Sequence, residues 1–443
     1  MDRLELRAFR AALVETDAAI APDDPRYVTG LHGSEEEDVI SALLEEILTH
    51  PAQDSHLFYF TGQRGTGKST ELRRLEQLLL GEGAQVIRFD SLDFITETEK
   101  VTVESVLLLV TAGLVAWADE HHGEDFLHAS AWTRFSAWLK TDVEITEVSA
   151  RGLKLKLKEQ QVSVAEKIRN LSTPLEWTKE VQDFAGEIVE FIRKQTHRER
   201  VVVIVDSLER LRGVSGADQD SMFQHVITTF AGDFDRLRVP SASLVYSVPP
   251  YLALMADVRS FVKCFALASV RVFAKPIADG NFTAYRRHPR PEGLEKMRSL
   301  INRRYAKWDK VVAASALDRL AAASGGDLRH FMQRLVSGVV GKALFALDRL
   351  PLGADDTVIN QVIDENRGET ERLTVKSEWP LLSDIATTHN AIAADRGDSL
   401  RTLARLFDTR VILNYRNGAE WFDIHPLLWP MFDKLNEQPA AAT

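Results

Sequence analysis

The 443-residue chain contains a single cysteine, Cys264. One thiol forms no internal disulfide and supplies no cysteine-based zinc site, which favours a reducing, intracellular setting. Positive charge is not in excess: 54 lysines and arginines stand against 65 aspartates and glutamates, a net −11. Proteins that coat nucleic acid without sequence preference ordinarily carry a basic surplus, so that class is disfavoured. Long apolar runs are also missing. The longest uncharged one, Ser105 to Ala118, has fourteen residues, short of the roughly twenty needed to cross a bilayer. It reads as a buried helix. Met1 to Arg10 alternates charge without an apolar stretch, so no secretory signal is visible. The expectation is a soluble, cytoplasmic protein with no membrane partner.

What is present is an ordinary globular composition, 45% hydrophobic and 27% charged, in a length that suggests about two to four domains. Charge is unevenly spread. Residues 1–55 hold thirteen acids and four bases, whereas residues 281–310 hold nine bases and three acids. There is no internal repeat and no low-complexity linker.

Residues 56–61, 85–90 (QVIRFD), 201–206, 244–247 and 269–273 read as short strands, and helical patterns lie between them. The five consecutive β-branched residues Val201 to Val205 suit a parallel strand buried on both faces. Leu153 to Lys158 has period two and reads as a short amphipathic strand. Strands alternating with helices predict an α/β fold with a parallel sheet. After Pro276 the pattern is helical, with one amphipathic helix carrying Leu328, Phe331, Met332, Leu335, Val336 and Val339 on a single face. Near the carboxyl end, a helix over 399–407 precedes two apolar-rich runs joined by Asn417-Gly418. That pair predicts a type I′ hairpin, with positive φ at both residues. Helix plus hairpin predicts a winged-helix-like module.

Chemistry concentrates in one segment. Gly62, Gly67, Lys68 and Ser69 fill the fixed positions of G-x-x-x-x-G-K-[ST], with Gln63, Arg64, Gly65 and Thr66 between them and Thr70 following. The segment lies between a predicted strand and a predicted helix, the context this phosphate-binding loop requires. Glycines let successive backbone N–H groups close around phosphates, and the helix N-terminus adds favourable potential. Lys68 is placed to reach the β- and γ-phosphates and Ser69 to ligate Mg²⁺. The implied ligands are ATP and Mg²⁺. The partner element is an apolar strand ending in a carboxylate, Val201 to Asp206, with Asp206 as the second magnesium ligand.

On these residues the sequence resembles the AAA+ and STAND superclass of P-loop ATPases, most of all the origin-recognition and initiator-like clade, over roughly residues 20–350. The resemblance implies further roles. Ser247 matches the polar sensor-1 position at the end of the fourth strand. Ser324 to Arg329 resembles the sensor-2 segment, whose arginine, Arg329, approaches the γ-phosphate from a helical lid. Arg259 falls where that clade carries an arginine finger, although a solvated surface arginine is the plainer reading. The residue after Asp206 is Ser207, where such enzymes place a catalytic glutamate. Glu209 either takes over water positioning or forms a helix-surface salt bridge. Slow hydrolysis follows, which suits a switch.

The implied architecture is a P-loop NTPase parallel sheet with a large helical insertion, a helical lid and a C-terminal winged-helix-like domain. Its expected divisions are an acidic segment at 1–55, an ATPase core at 56–276 with the insertion at about 96–200, a lid at 277–370 and the winged-helix-like domain at 371–443. The expected activity is ATP hydrolysis in a molecular switch that self-assembles or licenses a protein effector. Bacterial antiviral defence is one setting the resemblance suggests. The alternative is a nucleic-acid-associated regulator such as an initiator, loader or transposition ATPase. The module at 371–443, with eight bases and ten acids, favours protein contact over DNA.

Two other clusters have plainer readings. His121, His122, Glu124, Asp125 and His128 lack metal-ligand spacing and read as a solvated helix–loop junction. Arg286, Arg287, Arg290, Arg303 and Arg304, interleaved with Tyr285 and Tyr305, read first as a solvated lid, then as a phosphate contact or a complement to the acidic surface of a neighbouring subunit.

Overall fold

The computed structural model describes residues 2–14, 19–33, 37–94, 101–130, 133–134, 174–210, 223–275, 289–392 and 398–437. They form two compact units, one of Val39–Thr61 and Arg74–Ala266, the other of Met1–Asp38, Gly62–Arg73 and Leu267–Thr443. In chain order the elements up to the lid are α1 (Arg3–Val14), α2 (Val39–Thr49), β1 (His56–Gly62), α3 (Lys68–Gly81), β2 (Gln85–Asp90), α4 (Val103–Leu127), α5 (Pro174–Thr196), β3 (Val201–Asp206), β4 (Ser243–Val248), α6 (Ala256–Phe261) and β5 (Lys263–Leu267).

The first unit is built on a five-stranded sheet in the order β2-β3-β4-β1-β5. The pairs β2–β3, β3–β4 and β1–β4 are parallel, with Gln85 opposite Val201, Val202 opposite Ser243 and His56 opposite Ser243. Val201 to Val205 are fully buried, as a central strand covered on both faces requires. Two sheet tyrosines are buried with their hydroxyls satisfied: Tyr59 donates to Phe230 O at 2.8 Å and Tyr246 to Leu237 O at 3.0 Å. The apolar run from Ser105 to Ala118 lies inside α4. Its residues pack inward, and Gly113 sits so close to the Phe89 ring that a Cβ would fall 2.3 Å from it. Among the described residues no helix is long and apolar enough to cross a membrane. Helices α4 and α5 pack together, with Phe191 against Phe126 at 5.4 Å and against His122 at 5.8 Å. Both are described parts of the expected helical insertion. The strand expected over 153–158 lies outside the described residues.

The second unit continues with α7 (Pro291–Arg304), α8 (Ala314–Ser324), a π-helical turn (His330–Val336), α9 (Ser337–Ala343), α10 (Thr357–Glu371), α11 (Trp379–Thr388), α12 (Asp398–Asp408), β6 (Ile412–Asn417), β7 (Ala419–Ile424) and α13 (Trp429–Glu437). The amphipathic face over 328–339 is buried as expected, but its helix runs through the π turn before becoming α-helical. Near the amino end, α1 lies on the lid. Phe9 stacks on Tyr305 at 4.5 Å, and Glu5 pairs with Lys307 at 3.1 Å. Part of the charge complementarity between residues 1–55 and 281–310 is therefore used within one chain.

Two expectations need correction. Ser269 to Phe273 is not the fifth strand, which is Lys263–Leu267. The backbone of 269–273 is engaged elsewhere: Ser269 N donates to Asn414 O and Val270 N to Gly326 O. The hairpin β6–β7 forms as expected, with Asn417 opposite Ala419, but only Gly418 has positive φ, +76°. A type I′ turn is therefore excluded. The Gly418 N–H donates to Glu37 Oε1 at 2.9 Å, which holds the hairpin tip against the amino-terminal segment.

Candidate functional site

The phosphate loop belongs to the second unit. It leaves β1 at Gly62 and enters α3 at Lys68. Thr66 closes the turn, its N–H and hydroxyl both donating to Gln63 O at 3.3 and 2.8 Å. Gly65 and Gly67 have φ of +87° and +92°, a region that L-residues with side chains seldom adopt. A Cβ on Gly65 would lie 2.7 Å from Arg329 Cβ and 3.2 Å from Asp327 Oδ1. This glycine is required both by its dihedral and by the approach of the lid.

Lys68 is buried and donates its ammonium to Gly62 O at 2.8 Å and Gln63 O at 3.1 Å. Its charge is thus held over the loop from which it springs. Arg64, Ser69 and Thr70 are half-buried beside it. Glu71, one residue further, accepts from Tyr27 at 3.1 Å. His32 lies against Gly67, its Nδ1 2.8 Å from Ala268 O. Burial pushes the His32 pKa down against the opposing pull of Glu71.

The lid segment reaches the loop through a left-handed pair, Gly325 and Gly326 (φ +62° and +82°). Asp327, buried, then accepts from His330 N at 2.9 Å and from Arg410 at 2.8 Å. The structure therefore brings the Arg329 Cβ up against Gly65. It also shows what sequence reasoning missed. The Gln63 side chain is only 1% exposed and donates to Phe407 O at 3.5 Å and, more closely, to Ile412 O. Its side chain is therefore engaged by the backbone at the start of the hairpin.

The remaining site residues lie in the first unit, at the carboxyl ends of β3 and β4. Parallel pairing brings these ends, and that of β1, to one edge of the sheet, the edge where open α/β folds bind ligands. Asp206 is buried and accepts the Ser207 N–H at 2.7 Å. Ser207, also buried, has φ +68° and donates its hydroxyl to Asp90 Oδ2 at 2.9 Å. Glu209 is buried and accepts the Ser247 hydroxyl at 2.8 Å. Arg259 is exposed near the end of α6. The acid at the end of β2, Asp90, was visible in the sequence as the last residue of a strand, the same signal that marked Asp206.

In the second unit, the left-handed Gly65 and Gly67 at the entry to α3 suit nucleotide phosphates; in the first, the Asp206 carboxylate at the end of an apolar strand suits Mg²⁺. The histidine–acid cluster at 121–128 does not suit a metal. His121 stacks on Trp117 at 4.1 Å and His122 packs on Phe191. Among the described residues no three His, Cys, Asp or Glu side chains gather as a protein-only metal site would need.

No family model and no curated protein matches the chain. Among solved structures it is similar to a Walker-type ATPase of Pyrococcus abyssi at 14% identity, TM-score 0.38, covering 94% of this chain and 98% of that one. It is similar to the Drosophila origin recognition complex bound to DNA at 12% identity, TM-score 0.37, covering 96% and 91%. Cdc6p from Pyrobaculum aerophilum follows at 12% identity, TM-score 0.32, covering 95% and 98%. Strand order and phosphate loop, rather than these distant likenesses, give the chain a P-loop NTPase fold, followed by a helical region and a helix–hairpin module.

Proposed function

We propose that the chain is an ATP-binding, slowly hydrolysing molecular switch of the AAA+/STAND type. Its nucleotide-bound form self-assembles or licenses a protein effector. The observation that carries this reading is the grip on the phosphate loop from two sides of the same unit: Arg329 on Gly65, and the Gln63 side chain in the start of the winged-helix-like hairpin. A change at the phosphates is then felt by both the lid and the carboxyl-terminal module, which is what a switch needs and a simple hydrolase does not.

Lys68, with the N–H groups of the loop and of the first turn of α3, holds the phosphates. Ser69 and Asp206 hold Mg²⁺, which supplies charge compensation during phosphoryl transfer. Glu209, fixed by Ser247, orients the attacking water. Arg329 stabilises charge from the lid, and Arg259 does so from a neighbouring copy. Ser207, whose hydroxyl is given to Asp90, cannot act as the acid that AAA+ enzymes use at that place, which supports slow turnover.

Particle mass measured with and without a non-hydrolysable ATP analogue tests the switch. Growth of the particle on adding the analogue supports it, and an unchanged monomer contradicts the self-assembling form. Strong stimulation of ATP turnover by DNA would instead favour the nucleic-acid-associated regulator.

A further inference from the structure

Three residues at the carboxyl edge form a unit that the roles above leave unexplained. Asp90 and Asp206, the last residues of β2 and β3, are register partners on adjacent parallel strands. Ser207 stands between their carboxylates and binds both, its N–H donated to Asp206 Oδ1 at 2.7 Å and its hydroxyl to Asp90 Oδ2 at 2.9 Å. Ser207 is 1% exposed and held at φ +68°, an unfavourable conformation for a residue with a Cβ. Asp90 is itself anchored, its Oδ1 accepting the Leu92 N–H at 2.9 Å and capping a short 3₁₀ turn.

A strained residue persists only where its surroundings over-determine it. Here the second constraint comes from Asp90. With the hydroxyl tied to β2, Ser207 stays left-handed and its N–H stays on Asp206. The Asp206 carboxylate is thereby fixed in one orientation at the strand end. Were the hydroxyl released, Ser207 could relax to a right-handed φ and swing its N–H away, removing that restraint on the carboxylate.

We propose that Asp90 is a positioning residue for magnesium: acting through the Ser207 hydroxyl, it orients Asp206 toward the ion without touching it. This rests on the ATP reading above. Partners of this kind around metal ligands typically change metal affinity about 10–100-fold when removed.

The test is a Mg²⁺ titration of a fluorescent ATP analogue bound to the full-length chain, with affinity in EDTA as the metal-free baseline. Asp90→Ala is expected to raise the half-saturating Mg²⁺ about tenfold while leaving the EDTA affinity unchanged. Ser207→Ala, which removes the other end of the same bond, is expected to match it. Asp90→Asn keeps its one amide oxygen on the Leu92 N–H and turns its NH2 toward the Ser207 hydroxyl, which can accept instead of donate; the tie persists without the charge, and the variant is expected to stay within about threefold of wild type. The double change Asp90→Ala with Ser207→Gly is expected to recover most of the loss, because glycine takes the left-handed conformation freely. An Asp90→Ala chain with wild-type Mg²⁺ dependence overturns the proposal. So does Asp90→Asn behaving like Asp90→Ala, which would make the charge, and hence direct ligation, the cause. Wild-type chain that fails to bind the analogue at all would overturn the ATP reading itself.

Discussion

Ser247, at the end of β4, donates a 2.8 Å hydrogen bond to Glu209, three residues beyond the end of β3. The bond joins the end of β4 to the acid on the loop that follows β3, the pair proposed above to position the attacking water. Both are buried, so the hydroxyl selects one rotamer of the carboxylate. Glu209→Gln keeps the shape and the hydrogen bond but not the negative charge. It is expected to bind ATP normally and to turn over at least about tenfold more slowly. Ser247→Ala is expected to lower turnover in the same direction, and the double variant to fall short of the summed loss, because the two act as one unit. Phosphate release and nucleotide affinity measured side by side check this. Unchanged turnover in Glu209→Gln would return Glu209 to a structural role.

The carboxylate of Asp327 is 3% exposed in the pair with Arg410, whose side chain is 31% exposed. Arg410→Ala would leave a buried carboxylate without its cation beside the phosphate loop. A loss of about 2 kcal/mol of stability is expected, since a buried charged group loses a hydrogen-bonded partner. Denaturant unfolding reads it directly. Gln63→Ala, which cuts the side-chain tie between the phosphate loop and the winged-helix-like module, is expected to accelerate release of a bound fluorescent nucleotide. Release as slow as in wild type would show that this contact does not restrain the loop.

A chain of buried histidine rings joins the lid to the same module. Leu427 N donates to His425 Nδ1 at 3.3 Å, and His425 Nε2 lies 3.2 Å from His330 Nδ1. His330 Nε2 then reaches Asn366 Oδ1 at 3.1 Å. The first of these bonds makes His425 Nδ1 an acceptor, so its proton sits on Nε2, and each ring in turn is fixed in one tautomer. Burial pushes both pKa values down. For His330, Asp327 pulls upward and Arg410 and Arg334 downward; for His425, His330 and Arg410 add to the fall. In the unfolded chain both rings titrate near ~6.5. As pH drops through that value the unfolded state takes up protons that the native state refuses, so the stability these rings contribute is present above it and lost below. Thermal unfolding at falling pH is expected to show a steeper decline for wild type than for His330→Asn with His425→Asn. Identical slopes would remove these rings from the pH response.

Arg259 is exposed near the end of α6, as a residue acting on a neighbour must be. Arg259→Ala is expected to lower turnover while leaving nucleotide affinity near wild type, and to do so only at protein concentrations where copies associate. Turnover equal to wild type across a dilution series would leave Arg259 as an ordinary surface arginine.

The sheet was legible because its strands are short apolar runs bounded by turns, and because parallel strands buried on both faces are continuously hydrophobic. The phosphate loop was legible because its glycines and lysine are spaced by backbone geometry alone. Other features depend on partners distant in sequence. Ser269 to Phe273 has strand composition, yet its N–H groups go to Asn414 and Gly326. Gln63 falls inside a nucleotide motif, but its side chain answers to Ile412. Asn417-Gly418 has hairpin chemistry, but a carboxylate from Glu37 holds its tip. The Asp90–Ser207 bond crosses from one strand end to the next, and no local pattern in either segment announces it.

The central claim is that the segment from Gly62 to Ser69 binds ATP, and equilibrium titration with a fluorescent ATP analogue in Mg²⁺ tests it most directly. Lys68 springs from a loop shaped by its glycines and donates to the loop carbonyls Gly62 O and Gln63 O, so Lys68→Ala should preserve the fold. The account predicts saturable binding by wild type at micromolar nucleotide and none by Lys68→Ala, with the two thermal unfolding curves alike. Equal affinity in the two proteins, or no binding by either, would contradict it.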